Sequence, residues 1–309
     1  MTTLLFEHDA FGEHETPPGH PERAERYYAA SKALKTEPFD GLVRREAPRA
    51  SRDALRLAHR EPYLDHMNDI APKDGFLRLD PDTVIGPHSL DAALRAVGGA
   101  VAAVDAVCAG EADNAFILSR PPGHHAPPAR AMGFCLFNSA AIAALHARAA
   151  HGAKRVAVVD FDVHHGNGTE EIFWHDENAF YASSHEWPQY PGTGRASDRG
   201  AFDNIANAPL ATGSSGDDFR RAWGERLLPA LDAFKPDFIV ISAGFDAHRA
   251  DPVGGLRLVE DDFNWATREI LAVAKARAQG RVVSILEGGY DIPALAASVG
   301  AHVDCLMRA

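Results

Sequence analysis

The sequence predicts an α/β fold with a central, mostly parallel sheet flanked by helices. Two observations carry this. Short β-branched runs alternate with longer amphipathic ones along the chain, the pattern of parallel strands joined by covering helices. Four of the short runs also lead straight into polar stretches rich in glycine and histidine. In an open parallel sheet, ligands bind beyond the carboxyl ends of the strands. No Ser/Gly-rich or Pro-rich linker, low-complexity tract or internal repeat divides the 309 residues, so one domain over residues 1–309 is expected.

In chain order, Thr3–Glu7 reads as a strand and Pro21–Leu34 as a helix. Leu90–Cys108 is a longer helix in which Leu94, Val97, Val101, Val104 and Cys108 recur at helical spacing as a core stripe. Gly98 and Gly99 in its middle would each cost about 1 kcal/mol in an isolated helix, so close packing against the sheet is expected there. Strand Ala115–Leu118, helix Asn138–His151, and strands Val156–Phe161 and Ala179–Ser183 follow. Helix Asp217–Phe234, strand Phe238–Ser242, helix Glu260–Ala278, strand Val282–Leu286 and helix Ile292–Met307 complete the series. The four polar exits are "SRPPGHHA", "DVHHGNG", "AGFDAH" and "EGGYD". Their convergence on one crevice marks an enzyme more strongly than any single motif.

The formal charge is −12 and the isoelectric point is near 5.7. Such an acidic surface argues against nucleic acid or an anionic membrane as partner. It suits a cationic substrate, or solubility alone. Cys108, Cys135 and Cys305 are far apart with no CxxC pair, which points to a reducing compartment and no thiolate metal site. "MTTLLFEHDAFGEH" has neither a basic n-region nor a long apolar run, and Asp91, Arg95 and Asp105 interrupt the most apolar helix. A cytoplasmic protein with neither signal peptide nor membrane span is therefore expected.

Asp160, Asp162 and His164 are spaced two apart in "VVDFDVHHGNG", which puts their side chains on one face of a strand and its exit. Asp162 and His164 are half of a divalent-metal site, and Asp246 in "SAGFDAH" supplies a second carboxylate. Three protein ligands leave one coordination position open, the mark of a catalytic rather than a structural zinc. Two anionic ligands cancel most of the metal's charge, so Asp160 belongs behind them. The competing reading makes the aspartates helix caps ahead of Gly168. His124 and His125 in "PPGHHA" can both face one cavity, one as general base and one as a charge that stabilises the transition state. Tyr290 in "EGGY" offers a phenol to a developing oxyanion, or is a core tyrosine with a satisfied hydroxyl.

"GHPERAER", "RPPGHHA", "GFCLFNSAAIAA", "VDFDVHHGNGT", "YPGTG", "SAGFDAH" and "EGGY" stand in the order and near the spacing of the histone deacetylase family. That family includes acetylpolyamine amidohydrolases and the deacetylases of acetoin utilisation. The resemblance runs from about His20 to Tyr290. It implies a three-layer arginase/deacetylase fold and zinc-dependent hydrolysis of an N-acetyl amide, with Asp162, His164 and Asp246 as the ligands of one zinc. It further implies His125 as general base and acid, His124 as an electrostatic partner oriented by Asp160, and Tyr290 polarising the acetyl carbonyl. Gly133 and Phe134 match one wall of a narrow tunnel, and Tyr190 stands where the family usually has phenylalanine on the other. Arg23 matches an arginine below the active site that lines a cavity for acetate. A monovalent cation such as K+ near Asp160, Asp162, His164 and Ser183 is also implied. Asn167 resembles the class II and bacterial branch, class I members carrying Asp there. A neutral partner leaves His125 mainly uncharged near pH 7, because no carboxylate favours its imidazolium.

Two rival functions remain in view. A binuclear manganese ureohydrolase needs a D-x-H-x-D pattern, but Gly166 stands where its second aspartate would, and Ala250 breaks the similar "DAHRAD". A non-catalytic binder of acetyl amides has no need of the full set of tyrosine, histidines and ligands. For the substrate, the polyamine-selective branch places a glutamate seven residues after the third ligand, where this chain has Val253. That favours an acetyl-lysine-like amine, while Asp74, Asp80 and Asp82 keep a small acetylated polyamine in play. The ligand set accepts Fe2+ as well as Zn2+. Trp174, Trp187, Trp223 and Trp265 are open to two readings, core or rim positions and a homo-oligomer interface.

Overall fold

The computed structural model describes residues 1–309. Eight strands form one sheet: β1 Thr3–Glu7, β2 Val43–Glu46, β3 Asn114–Ile117, β4 Val156–Asp160, β5 Ala179–Glu186, β6 Ile205–Leu210, β7 Phe238–Ala243 and β8 Val282–Leu286. Their order is β2-β1-β3-β8-β7-β4-β5-β6, and every pairing is parallel. The inner strands are buried on both faces, so they read as unbroken apolar runs rather than alternating ones. Helices cover the sheet, giving the three-layer α/β arrangement the sequence predicts.

The two strands of this sheet absent from the sequence expectations are its two edges, and a separate short antiparallel pair, Leu77–Arg78 with Val84–Ile85, is absent from them as well. β2 is "VRRE" and fully exposed, and β6 carries Pro209 within "IANAPL". Charge and proline are how edge strands resist further pairing, and they also erase the apolar signature of a strand.

Helix ends follow local chemistry. Asn138 caps Ser139–His151 by accepting from the Ala141 N–H at 2.9 Å, and Gly152 closes it at φ 68°. Asp291 caps Ile292–Arg308 through the Ala294 N–H, also at 2.9 Å. Within Ser89–Cys108, a Cβ on Gly99 would lie 3.0 Å from Ala47 Cβ and 3.5 Å from Ile117 of β3. A Cβ on Gly98 would lie 2.0 Å from the Pro48 carbonyl oxygen. The glycine pair thus admits the chain after β2 as well as the sheet.

The single helix predicted over Asp217–Phe234 is three pieces: Gly216–Ala222, a π turn Trp223–Leu227, and Leu228–Phe234. Pro229 has no N–H for the carbonyl four residues back, and the wider turn absorbs the mismatch. It also buries Trp223, whose indole N–H donates to Ser184 Oγ at 2.9 Å. No helix is long and apolar enough to cross a membrane.

Candidate active site

The four polar exits leave β3, β4, β7 and β8, and these are consecutive in the sheet as β3-β8-β7-β4. Neighbouring strands lie about 4.8 Å apart, so four sequence-distant loops begin within roughly 15 Å of one another. The predicted crevice is the middle of the sheet's carboxyl edge.

At its floor lie Asp162, His164 and Asp246, all buried, with ligating atoms within 4.8 Å of one another. His164 Nδ1 is 3.1 Å from both Asp162 Oδ1 and Asp246 Oδ2. Backbone N–H groups hold the other lone pairs: Gly288 donates to Asp162 Oδ2 at 2.8 Å and Val163 to Asp246 Oδ1 at 2.9 Å. Asp246 Oδ2 remains, buried and with no donor of its own, since His164 Nδ1 is already bonded to Asp162 Oδ1. Burial and the Asp162 charge push the Asp246 carboxyl up to about 7. Two buried carboxylates and an imidazole, with one oxygen unpartnered, are the donor set of a divalent cation.

Glycine makes the room. A Cβ on Gly244 would come within 2.1 Å of Asp162 Oδ2, and one on Gly288 within 2.0 Å of Asp246 Oδ2. Neither aspartate caps a helix: Asn167–Phe173 starts at Gly166 without a side-chain cap. A neighbouring trio, His124, Cys135 and Glu287, is equally compact but satisfied. Glu287 Oε2 accepts the N–H groups of Gly123 and His124, and Cys135 Sγ donates to the Gly133 carbonyl.

His124 and His125 lie side by side, ring centroids 4.0 Å apart, yet their partners differ. His124 Nδ1 is 3.0 Å from Asp160 Oδ2, which also accepts from the Tyr181 hydroxyl at 2.9 Å. Asp160 Oδ1 takes the Asp162 N–H at 3.1 Å. Burial pulls the His124 pKa down, but the charges of Asp162 and Asp160 outweigh it and push it up to about 10. His125 Nδ1 meets the neutral Asn167 Oδ1 at 2.9 Å. The Asn167 amide is fixed from its other side, Nδ2 donating to the His125 carbonyl and to Met132 Sδ. Nδ1 of His125 is therefore the protonated nitrogen, which leaves the lone pair on Nε2. Burial, reinforced by His124 and His164, holds the His125 pKa well below its ordinary value.

The rim is aromatic. Gly133 and Phe134 sit at φ 56° and 66° as the two central residues of a tight turn closed by Met132 and Cys135. Positive φ at both positions is the hairpin-turn geometry. For Phe134 it costs about 1–3 kcal/mol, offset by its N–H donating to Thr83 Oγ1 at 3.0 Å. A Cβ on Gly133 would meet the His125 ring at 2.4 Å. Phe134 packs edge-on to Tyr290 at 5.8 Å, and Tyr190 edge-on to His125 at 5.1 Å. Val253 lies beside Tyr190's loop, its carbonyl accepting from Gln189 Nε2 at 3.4 Å.

Tyr290 is buried, and burial holds its phenol well above the ordinary value, with Arg26 opposing. It stays protonated as a donor. Its backbone N–H donates to Asp251 Oδ2 at 2.6 Å and that of Asp291 to the same oxygen at 3.1 Å, while Oδ1 takes the Val253 N–H at 3.0 Å. One buried carboxylate thus ties the Tyr290 loop to the Val253 loop. The sequence reading passed over Asp251 because its work is done through backbone N–H groups, which leave no motif.

One expected residue is misplaced. Arg23 is exposed and precedes the helix, which starts at Glu25. The arginine below the site is Arg26, fully buried, its guanidinium 4.8 Å from the Tyr290 ring. It donates to the carbonyls of Gly289 and Glu287 at 2.5 Å each and to Glu22 Oε1 at 2.8 Å. Glu22 pairs in turn with Arg120 through both oxygens, at 2.5 and 2.7 Å. Both candidate arginines stand in "PERAER"; the signal that separates them is the buried acid on the preceding turn, since Glu22 and Arg26 are an i,i+4 pair.

A model of the histone deacetylase domain matches residues 20–306. The chain belongs to the histone deacetylase family. This deacetylase is 43% identical over 255 residues to a histone deacetylase-like amidohydrolase of Pseudomonas aeruginosa, covering 81% of this chain and 67% of that one. It is 36% identical over 298 residues to a probable deacetylase of Archaeoglobus fulgidus, covering 94% and 82%. Among solved structures it matches the HDA15 HD domain with a TM-score of 0.94 and 34% identity, over 99% of this chain and 88% of that one. The deacetylase therefore has the arginase/deacetylase fold and is an amidohydrolase of a family that is generally metal-dependent.

Proposed function

We propose that the deacetylase is a zinc-dependent hydrolase that removes the acetyl group from an acetyl-lysine-like amine and releases acetate. The observation that carries this is the juxtaposition of the buried Asp162–His164–Asp246 trio, with its unpartnered Asp246 oxygen, and His125, which offers a lone pair on Nε2. Bound by that trio, zinc supplies Lewis acidity, polarising the acetyl carbonyl and lowering the pKa of water. His125 Nε2 accepts the proton of the attacking water and returns it to the departing amine. His124, held cationic by Asp160, faces the negative charge that develops. The Tyr290 hydroxyl donates to the same oxyanion, and Phe134 and Tyr190 line the aliphatic stem and limit bulk water. A monovalent cation near Asp160, Asp162, His164 and Ser183, of which Asp160 and Ser183 pair across β4 and β5, belongs to the same proposal. So does a cytoplasmic location, in keeping with three unpaired cysteines.

A second substrate reading has one observation in its favour. Thr83, next to Asp82, takes the Phe134 N–H at 3.0 Å, and after burial the Asp82 charge is the first influence raising the Tyr190 phenol's pKa, ahead of Cys135 and Asp80, so acidic groups lie near the rim where an acetylpolyamine's free amine would point. Val253, aliphatic at the position next to Tyr190's loop, favours acetyl-lysine. The test is kcat/KM on an acetyl-lysine peptide against N-acetylputrescine, measured side by side. The peptide is expected to be the better substrate; a preference of about tenfold or more for N-acetylputrescine, ~1.4 kcal/mol, overturns the assignment.

Asn167→Asp tests the base. A carboxylate on Nδ1 favours the imidazolium and raises the His125 pKa, so the neutral base appears only at higher pH. The acidic limb of the kcat/KM profile is expected to move upward; a downward move contradicts the role given to His125.

A further inference from the structure

Far from the catalytic crevice, helix Ser89–Cys108 packs on helix Ser139–His151, and three metal-ligating side chains meet near their carboxyl-terminal ends. Asp105 lies in the last turn of the first helix. His146 lies in the second, and His151 is its final residue before Gly152 turns the chain at φ 68°. His146 Nε2 is 2.7 Å and His151 Nε2 2.6 Å from the same oxygen, Asp105 Oδ1. The imidazole rings stand edge to face, centroids 5.6 Å apart.

We propose that Asp105, His146 and His151 form a second, solvent-accessible site for a transition-metal dication of the zinc class, independent of the active site. The three donor atoms lie within 4.8 Å of one another. Zinc holds nitrogen and oxygen ligands at about 2.0–2.2 Å in a tetrahedron, which separates them by roughly 3.4 Å. Opening the two Nε2–Oδ1 contacts to that spacing takes shifts of under about 1 Å, and side chains only part-buried, 17%, 26% and 51% exposed, can make them.

The arrangement exceeds what an ion pair needs. Two imidazoles address one carboxylate oxygen, whereas one cation would neutralise it and Oδ2 could share the load. Burial works against the Asp105 charge, yet the contacts from His151 and His146 keep its carboxyl below the usual range. Both helices also present their carboxyl-terminal ends here, where partial negative charge favours a cation. The nearby guanidinium of Arg148 is engaged by Asp176 and does not compete. Two imidazoles and a carboxylate suit Zn2+, with Cu2+ and Ni2+ as binders of the same set. Water completes the shell. Such an ion clips the two helices together, and it makes the chain bind two divalent ions while its active site holds one.

The experiment is calorimetric titration of Zn2+ into chelator-stripped protein, wild type against His146→Ala/His151→Ala. The double variant is expected to bind one equivalent fewer than wild type, and to keep its turnover of the acetyl-lysine peptide. Asp105→Asn, which preserves side-chain shape, is a second variant expected to weaken the same equivalent. Asp162→Asn removes the other equivalent, so failure of the active-site reading is visible separately. Equal stoichiometry in wild type and double variant overturns the second site.

Discussion

Tyr290→Phe is expected to lower kcat on an acetyl-lysine peptide by about 10²–10³-fold, ~2.7–4 kcal/mol, the usual cost of one oxyanion donor. The ring remains, so its packing on Phe134 and over Arg26 persists, and KM and metal content should change little. The same variant isolates the work of Asp251. If that carboxylate acts by holding the Tyr290 loop through two N–H groups, Asp251→Asn should cost about 10–10²-fold in kcat where the phenol is present. In the Tyr290→Phe background it should cost little more, since misplacing an absent hydroxyl has no effect. Equal losses in both backgrounds would reduce Asp251 to general scaffolding. A melting curve run alongside separates lost positioning from lost fold.

His125→Ala is expected to cost about 10²–10⁴-fold in kcat, the range for a positioned base. His124, 4.0 Å away between ring centroids, is a poor substitute: its Nδ1 is bonded to the Asp160 carboxylate, which favours the protonated ring. The loss should therefore persist across the pH range, and small exogenous bases such as imidazole should restore part of the rate in a variant that has a cavity where the ring stood. A His125→Ala enzyme retaining most of its rate would reassign the base to another group.

The contrast between the two histidines shows what a sequence can and cannot convey. "PPGHHA" places them together, and Asn167 in "HHGNG" indicates that one has a neutral partner. The pairing itself, Asp160 with His124 and Asn167 with His125, comes from the family resemblance rather than from spacing, and the geometry agrees, Asp160 reaching one ring and Asn167 the other. The trio Asp162, His164 and Asp246 was legible because two of its members share a strand exit at period two, and the third follows another strand in a run of the same character. The central strands were legible because burial on both faces writes itself as apolar residues. The edge strands were not, since their charges and Pro209 serve a solvent-facing role. Arg26 was confused with Arg23 because both stand in "PERAER". The choice between them depends on where the helix begins, and helix ends are set by a turn or less of chain. Gly244 and Gly288 stand in the runs "SAGFDAH" and "EGGY", though the carboxylates they make room for follow only from the structure, and Asp251 acts through backbone N–H groups, which leave no residue-type signature.

The central claim is that one metal, held by Asp162, His164 and Asp246, serves amide hydrolysis assisted by His125 and Tyr290. The most direct test is acetate release from an acetyl-lysine peptide by chelator-stripped protein, followed as Zn2+ is returned. Activity is expected to rise with the tightest-bound equivalent, to saturate when that single site is filled, and to be absent at every zinc concentration in Asp162→Asn. Acetate release by the stripped protein, or full zinc loading with no release, would contradict it.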